Sequence, residues 1–392
     1  MAGQTVLFLN RDLSVYGGVG RAHLTYARHH DTARVDVSFA CLMRPEANAE
    51  AAFASEGTPI VWIGDGYIAP ALTLRSLVTR RRPSVIVCSS FRAYALAKGA
   101  CLGLPCRVVY WLHSVSQVLE GPVRRWLFRV LSRSDSILCV SDAVRRAHGL
   151  TSHRLADVVY HGVEELPTQL TGLGDREEMR TGLGIAVGDV VVGYVAAFVG
   201  LKDHATLVRA FAAAAAKVPD LRLLLIGNGP MMRPTMDLVR TLGVGERVHM
   251  LGERDDVRTL LELVDIYAHP SRGEGFGLAV VEAMLAGLPV ITGDEGAFPE
   301  YVHHGDTGLT SPGGDAEALA RAIESLASDS ARRKALGDAG RNYARAHFSP
   351  PDFATRFTEL ILRDLPRGHR APESDPGVEV VRPRHTGRTE SS

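Results

Sequence analysis

Two series of short apolar runs, each run separated from the next by a longer segment able to form a helix, restrict the fold of this chain more than any other feature. The first series is "TVLFLN" at 5–10, "VDVSFACL" at 35–42, "SVIVCSS" at 84–90, "CRVVYWLH" at 106–113 and "SILCVSD" at 136–142. Runs of this length without polar alternation suit strands buried on both faces, and the intervening segments are long enough for crossover helices. Strand, helix, strand repetition predicts an α/β domain with a parallel sheet. A second series, "DVVVGYVAAF" at 189–198, "LRLLLIGNG" at 221–229, "RVHMLG" at 247–252, "VDIYAHPS" at 264–271 and "LPVITG" at 288–293, predicts a second sheet of the same class. Between them, 164–189 is rich in Gly, Pro and charge and poor in apolar runs, which marks a boundary. The expected domains are therefore 1–165 and 186–347, with two amphipathic helices within 315–347. After a Pro-Pro break a last helix is expected at 350–365, and the aperiodic tail 366–392 is expected to be disordered.

A chain of 392 residues, 46% of them hydrophobic, is long enough for two cores. Lys plus Arg and Asp plus Glu both number 44, so no global charge points to nucleic acid or an anionic membrane, and electrostatic work must be local. The five cysteines have no C-x-x-C spacing and read as reduced thiols. Arg11 and Asp12 come too early for a secretory apolar region, and no run approaches the ~18 apolar residues of a membrane span, so a cytoplasmic location is expected. The segment 121–135 mixes Arg124, Arg125, Arg129 and Arg133 with Trp126, Leu127, Phe128 and Leu131. It suits a helix covering the first sheet, and a membrane surface is the less favoured alternative.

Chemistry concentrates in "EGFGLAVVE" at 274–282, which reads as a loop holding Glu274, two glycines around Phe276, and a helix from about Gly277 to Ala286 that contains Glu282. Open parallel sheets bind ligands beyond the carboxyl ends of their strands, where helix N-termini offer free N–H groups to phosphates. Gly275 and Gly277 let a ligand approach the backbone. The glutamates would then accept hydrogen bonds from hydroxyl-rich groups on either side of a diphosphate, as in a nucleotide sugar. The same spacing also fits a plain helix start with one glutamate favouring the dipole and the other solvated.

With the surrounding "EGFGLAVVEAMLAGLPVITGDEGAFPEYVHHGDTG", the chain resembles the retaining family 4 glycosyltransferases of GT-B fold, from about Val6 to Leu365. The resemblance implies two Rossmann-like parallel-sheet domains facing a central cleft, with acceptor binding in the first and nucleotide-sugar binding in the second. It implies that Glu274 faces the donor sugar, that Glu282 binds the ribose, and that the amides of Gly277 and Leu278 hold the diphosphate. Gly17 and Gly18 of "YGGVGR" match the family's glycine loop, and His113 of "YWLHS" matches its histidine near the reaction centre. Asn228 and Gly229, with Glu253 and Arg254, match loops lining the nucleotide base. Lys202 matches the family's phosphate-binding lysine, but Ala197 stands where an arginine is usual. Arg21 and Arg272 are then candidates for the second cation.

The resemblance implies transfer of a hexose-type sugar from a nucleotide diphosphate to a hydroxyl of an unidentified acceptor. No metal ligand set, Walker loop, G-x-S-x-G or H-E-x-x-H motif is present in the sequence, so metal-independent stabilisation by lysine and helix amides is expected. The alternatives are another GT-B reaction, such as sugar-nucleotide epimerisation or a non-hydroxyl acceptor, and a catalytically weak nucleotide-sugar-binding homologue.

Overall fold

The structure is a computed structural model, and it describes residues 3–64, 66, 68–115, 128, 130, 135–165, 172–363 and 365. Most of the segment considered as a membrane-facing helix, and the tail beyond 365, lie outside the described residues.

The first series forms a seven-stranded, all-parallel sheet of β1 Gln4–Asn10, β2 Val35–Cys41, β3 Ile60–Trp62, β4 Val85–Cys88, β5 Arg107–Leu112, β6 Ser136–Cys139 and β7 Ala156–Val158, in the order β3-β2-β1-β4-β5-β6-β7. Helices α1 Gly18–His29, α2 Ala47–Ser55, α3 Ile68–Arg81, α4 Phe91–Ala100 and α5 Asp142–Ala147 connect its strands. The second sheet has six parallel strands, β8 Val190–Val195, β9 Leu221–Ile226, β10 Val248–Met250, β11 Ile266–His269, β12 Val290–Gly293 and β13 Leu309–Ser311, in the order β10-β9-β8-β11-β12-β13. Its helices include α6 Leu173–Gly182, α7 His204–Ala215, α8 Met232–Thr241, α9 Val257–Glu262 and α10 Leu278–Leu285, followed by α11 Ala316–Ala327, α12 Ser330–His347 and α13 Pro350–Leu362. The central strands are buried along almost their whole length, which is why they read as continuous apolar runs.

In both sheets the strand order reverses beside the first strand, between β1 and β4 and between β8 and β11. Loops leaving adjacent strands there diverge to opposite faces and open a crevice at the carboxyl ends. The loop after β1 holds Gly17 and leads into α1 at Gly18, the segment after β8 holds Ala197 and Lys202, and the loop after β11 holds Glu274. Both crevices therefore carry the residues singled out above.

Two features were not foreseen. The segment 164–189, read as a domain boundary, contains α6, whose buried Arg180 donates to the carbonyls of Leu263 and Asp189 and to Asp265. Its charge runs hid a helix docked through an arginine rather than through an apolar stripe. The strands β3, β7 and β13 were not foreseen, because three-residue strands at sheet edges need too few apolar residues to stand out.

Helix α13 lies against the first sheet's side of the molecule. The Phe357 ring sits 4.4 Å from Trp111 and 4.9 Å from Tyr26, and the Tyr26 hydroxyl is 2.8 Å from Thr358 Oγ1. The five cysteines are free thiols. Among the described residues no helix is long and apolar enough to cross a membrane.

Candidate active site

A cavity of about 930 Å³ lies between the carboxyl ends of the two sheets. Loops from both halves line it, which is the place a ligand spanning the domains would occupy.

On the second-domain side, β11 ends at His269 and the chain turns sharply through Ser271 to Glu274. Three donors converge on one oxygen of Glu274: Lys202 Nζ in an ion pair, Ser271 Oγ at 2.9 Å and His269 Nε2 at 3.3 Å. Burial alone would push this carboxyl up. The His269 hydrogen bond and the charges of Lys202 and His269 outweigh burial and hold it well below the usual carboxylate range. All three contacts fall on Oε1, and among the described residues Oε2 takes none. The Lys202 carbonyl accepts from Tyr194 at 2.6 Å, which ties the lysine's short turn to the end of β8.

Beyond Glu274 the backbone is shaped by two glycines. A Cβ on Gly275 would collide with the carbonyl oxygen of His113, so glycine here brings the two halves into contact across the cleft. Gly277 caps α10 with φ +86°, a conformation that favours glycine, and the first two helical residues, Leu278 and Ala279, whose N–H groups an α-helix leaves without intrahelical partners, line the cavity. Phe276 lies between them, its carbonyl accepting from the Tyr301 hydroxyl and its ring meeting His161 edge-on at 5.2 Å. One turn into α10, Glu282 pairs with Arg21, which reaches across from α1.

The remaining sequence-predicted residues divide. Gly17, Gly18, Asn228, Glu253 and Arg254 line the cavity, as do His113, Lys202, Glu274, Gly275, Phe276, Gly277, Leu278 and Glu282. Gly229 does not: its backbone packs against Phe198 instead. Asn228 Oδ1 accepts from the Gly229 amide at 2.8 Å, so that side chain supports its own loop. Arg254 forms a fork with Asp256, at 2.8 and 2.6 Å, while Asp255 accepts from Tyr16 of the first domain at 2.9 Å. Ala197 lines the cavity without a charge. Of the two candidate replacement cations, Arg21 lines the cavity, whereas Arg272 faces Glu295 at 3.8 Å and does not.

His113 and His161 lie side by side in the cleft, ring centroids 5.3 Å apart and nearly parallel. Burial, reinforced by neighbouring histidines, holds His113 well below its ordinary value and brings His161 to about 3, so both are neutral imidazoles at physiological pH. His161 was missed in the sequence. The signal was slight: Val159 and Tyr160 separate His161 from the end of the three-residue strand β7, whereas His113 directly follows the long run of β5. Glu300 was missed too. Its carboxylate accepts from the amides of Asp142 at 2.9 Å and Ala143 at 2.6 Å and from Tyr160 at 2.8 Å, joining the second domain to the start of α5.

Two Rossmann-like sheets facing a cleft, with a helix N-terminus and paired glutamates on one wall, define a GT-B architecture. Residues 16–165 match the model described as Glycosyltransferase Family 4, and residues 175–343 match Glycosyl transferases group 1. Together these matches span most of the chain, which belongs to the family 4 glycosyltransferases of GT-B fold. It is 28% identical over 275 residues to the N-acetyl-alpha-D-glucosaminyl L-malate synthase of Bacillus anthracis, covering 68% of this chain and 71% of that one. It is 36% identical over 224 residues to the D-inositol 3-phosphate glycosyltransferase of Corynebacterium kroppenstedtii, covering 54% of this chain and 49% of that one. The crystal structure of Anabaena Alr3699/HepE in complex with UDP and glucose superposes with a TM-score of 0.81 at 22% identity, covering 92% of this chain and 99% of that one.

Proposed function

We propose that the protein transfers a hexose-type sugar from a nucleotide-diphosphate sugar to an acceptor hydroxyl, with retention of configuration and without a metal ion. The observation that carries this reading is the arrangement of charge around the start of α10. Two glutamates flank the helix N-terminus, and each is already matched by a cation, Lys202 for Glu274 and Arg21 for Glu282. A diphosphate entering between them meets Lys202, Arg21 and the helix amides, and its sugar and ribose hydroxyls meet the glutamates. Related proteins add support, since one solved relative holds UDP and glucose and curated relatives include GDP-mannose-dependent enzymes.

In this reaction the bond from the anomeric carbon to the diphosphate oxygen breaks, and the acceptor oxygen bonds to the same face of that carbon. The acceptor proton passes to the departing diphosphate. Charge grows on the diphosphate as the bond breaks, and preorganised N–H groups and cations stabilise it at that moment. The Oε2 of Glu274, open toward the cleft, accepts from a sugar hydroxyl and orients the reacting ring.

The test is nucleotide release from a panel of UDP- and GDP-sugars, with and without candidate acceptors, in the presence and absence of EDTA. This reading expects acceptor-stimulated release that EDTA leaves unchanged. Turnover without a glycoside product would favour another GT-B reaction. Tight binding without release would favour the weak homologue, the reading that Ala197 keeps open.

A further inference from the structure

His113 is linked through Ser89 to His23, a buried histidine of α1, and the hydrogens available to each atom fix the polarity of that chain. His23 is fully buried, and its Nδ1 lies 2.7 Å from the carbonyl oxygen of Val19, one helical turn back. A carbonyl only accepts, so this nitrogen carries the hydrogen. Burial brings His23 to about 4, which leaves the ring neutral and its Nε2 bare. That nitrogen faces Ser89 Oγ at 3.2 Å and accepts the serine's single hydrogen. Having donated it, Ser89 Oγ can only accept from His113 Nε2, 3.3 Å away. The hydrogen of the neutral His113 ring therefore sits on Nε2.

Its other nitrogen, Nδ1, is then a bare acceptor. It is buried and has no hydrogen-bond partner among the described residues, in a side chain that lines the cleft. A buried acceptor without a donor is costly, and a ligand hydroxyl would satisfy it. A neighbour repeats the pattern, since His161 Nδ1 is also buried without a partner among the described residues and its ring stacks on His113. We infer that Ser89 and His23 are positioning residues that hold His113 as the Nε2–H tautomer and so present Nδ1 as an acceptor for a hydroxyl of the transferred sugar. The sugar half of this inference rests on the proposed function; the tautomer half does not. A donor analogue in which fluorine replaces that hydroxyl would lose the contact, because fluorine has no hydrogen to give.

The test is ¹⁵N-histidine NMR on the full chain at neutral pH, first without ligand. The His113 signals are assigned by their loss in His113→Gln. The expected pattern has a protonated Nε2 and a pyridine-type Nδ1. Ser89→Ala, a small change unlike any at buried His23, should mix the two tautomers, and Ser89→Thr, which keeps the hydroxyl, should restore the pattern. A protonated Nδ1 in the resting protein, or an unchanged pattern in Ser89→Ala, would overturn the relay. Binding of UDP, GDP, UDP-glucose and GDP-mannose is then measured on the wild type and Ser89→Ala. The variant should bind the nucleotide sugar about tenfold more weakly, the scale of one hydrogen bond, and the bare nucleotide equally well. Equal weakening of nucleotide and nucleotide sugar would overturn the sugar contact. Failure of all four compounds to bind the wild type would overturn the sugar contact and the proposed function together, while the resting tautomer would still decide the relay.

Discussion

Three donors on one oxygen of Glu274 leave the other facing the cleft, and a charged carboxylate there differs from an amide in a way kinetics can read. Glu274→Gln keeps shape and should lower kcat by about 100-fold or more with little change in donor KM, because the lost interaction belongs to the transition state. Unchanged kcat would remove Glu274 from the reaction. Lys202 has two partners in this account, Glu274 at rest and the diphosphate in turnover. Lys202→Ala should cost on the order of 3 kcal/mol in kcat/KM, and Arg21→Ala should show a smaller loss of the same kind. Each is compared with its folding stability, since Lys202→Ala also strands a buried carboxylate. If Arg21→Ala equals wild type, the helix amides and Lys202 suffice and Ala197 has no replacement. The buried histidines predict a pH dependence of stability. In the folded state His23 titrates near 4 and His161 near 3, against 6.5 when exposed. Above about pH 6.5 both states are neutral and stability is full; as pH falls toward 4 the unfolded chain takes up protons first and stability drops by a few kcal/mol per histidine. Denaturant unfolding at pH 8, 6 and 5 checks this, and a flat profile would contradict it. His161→Phe should flatten it in part.

At the scale of elements, helix α13 shows how the last segment of the described fold is secured. Phe353, Phe357, Leu360 and Ile361 are buried at helical spacing, and Phe357 fills the space between Phe8, Tyr26 and Trp111. Phe357→Ala should destabilise the protein by about 3–5 kcal/mol, measured by chemical denaturation, because the surrounding aromatic rings cannot close the cavity. A loss below about 1 kcal/mol would mean the helix is peripheral. This helix, the central strands and α10 were legible in the sequence because burial on one or both faces writes a period into the residues. Edge strands β3 and β7 were not, since three residues carry no period. Helix α6 was not, because its buried anchor is Arg180, a residue whose type points to solvent until its carbonyl partners are seen.

Across the whole molecule, the contacts joining the two sheets cluster around the cleft: Arg21 with Glu282, Tyr16 with Asp255, Gly275 against His113, and Glu300 on α5. Such pairings lie hundreds of residues apart in sequence, as between Tyr16 and Asp255, so no local pattern predicts them. The glutamates, glycines and His113 were nameable from motif alone, whereas the partner each meets across the cleft was not. In the proposed complex a nucleotide sugar lies across this junction with its ribose on Glu282, in place of Arg21. This placement is tested most directly by calorimetric binding of a panel of UDP- and GDP-sugars to the wild type and to Glu282→Ala. At least one nucleotide sugar should bind the wild type, and Glu282→Ala should weaken it by tenfold or more, about 1.4 kcal/mol, without loss of fold. Equal affinity of the two proteins for that donor would contradict it.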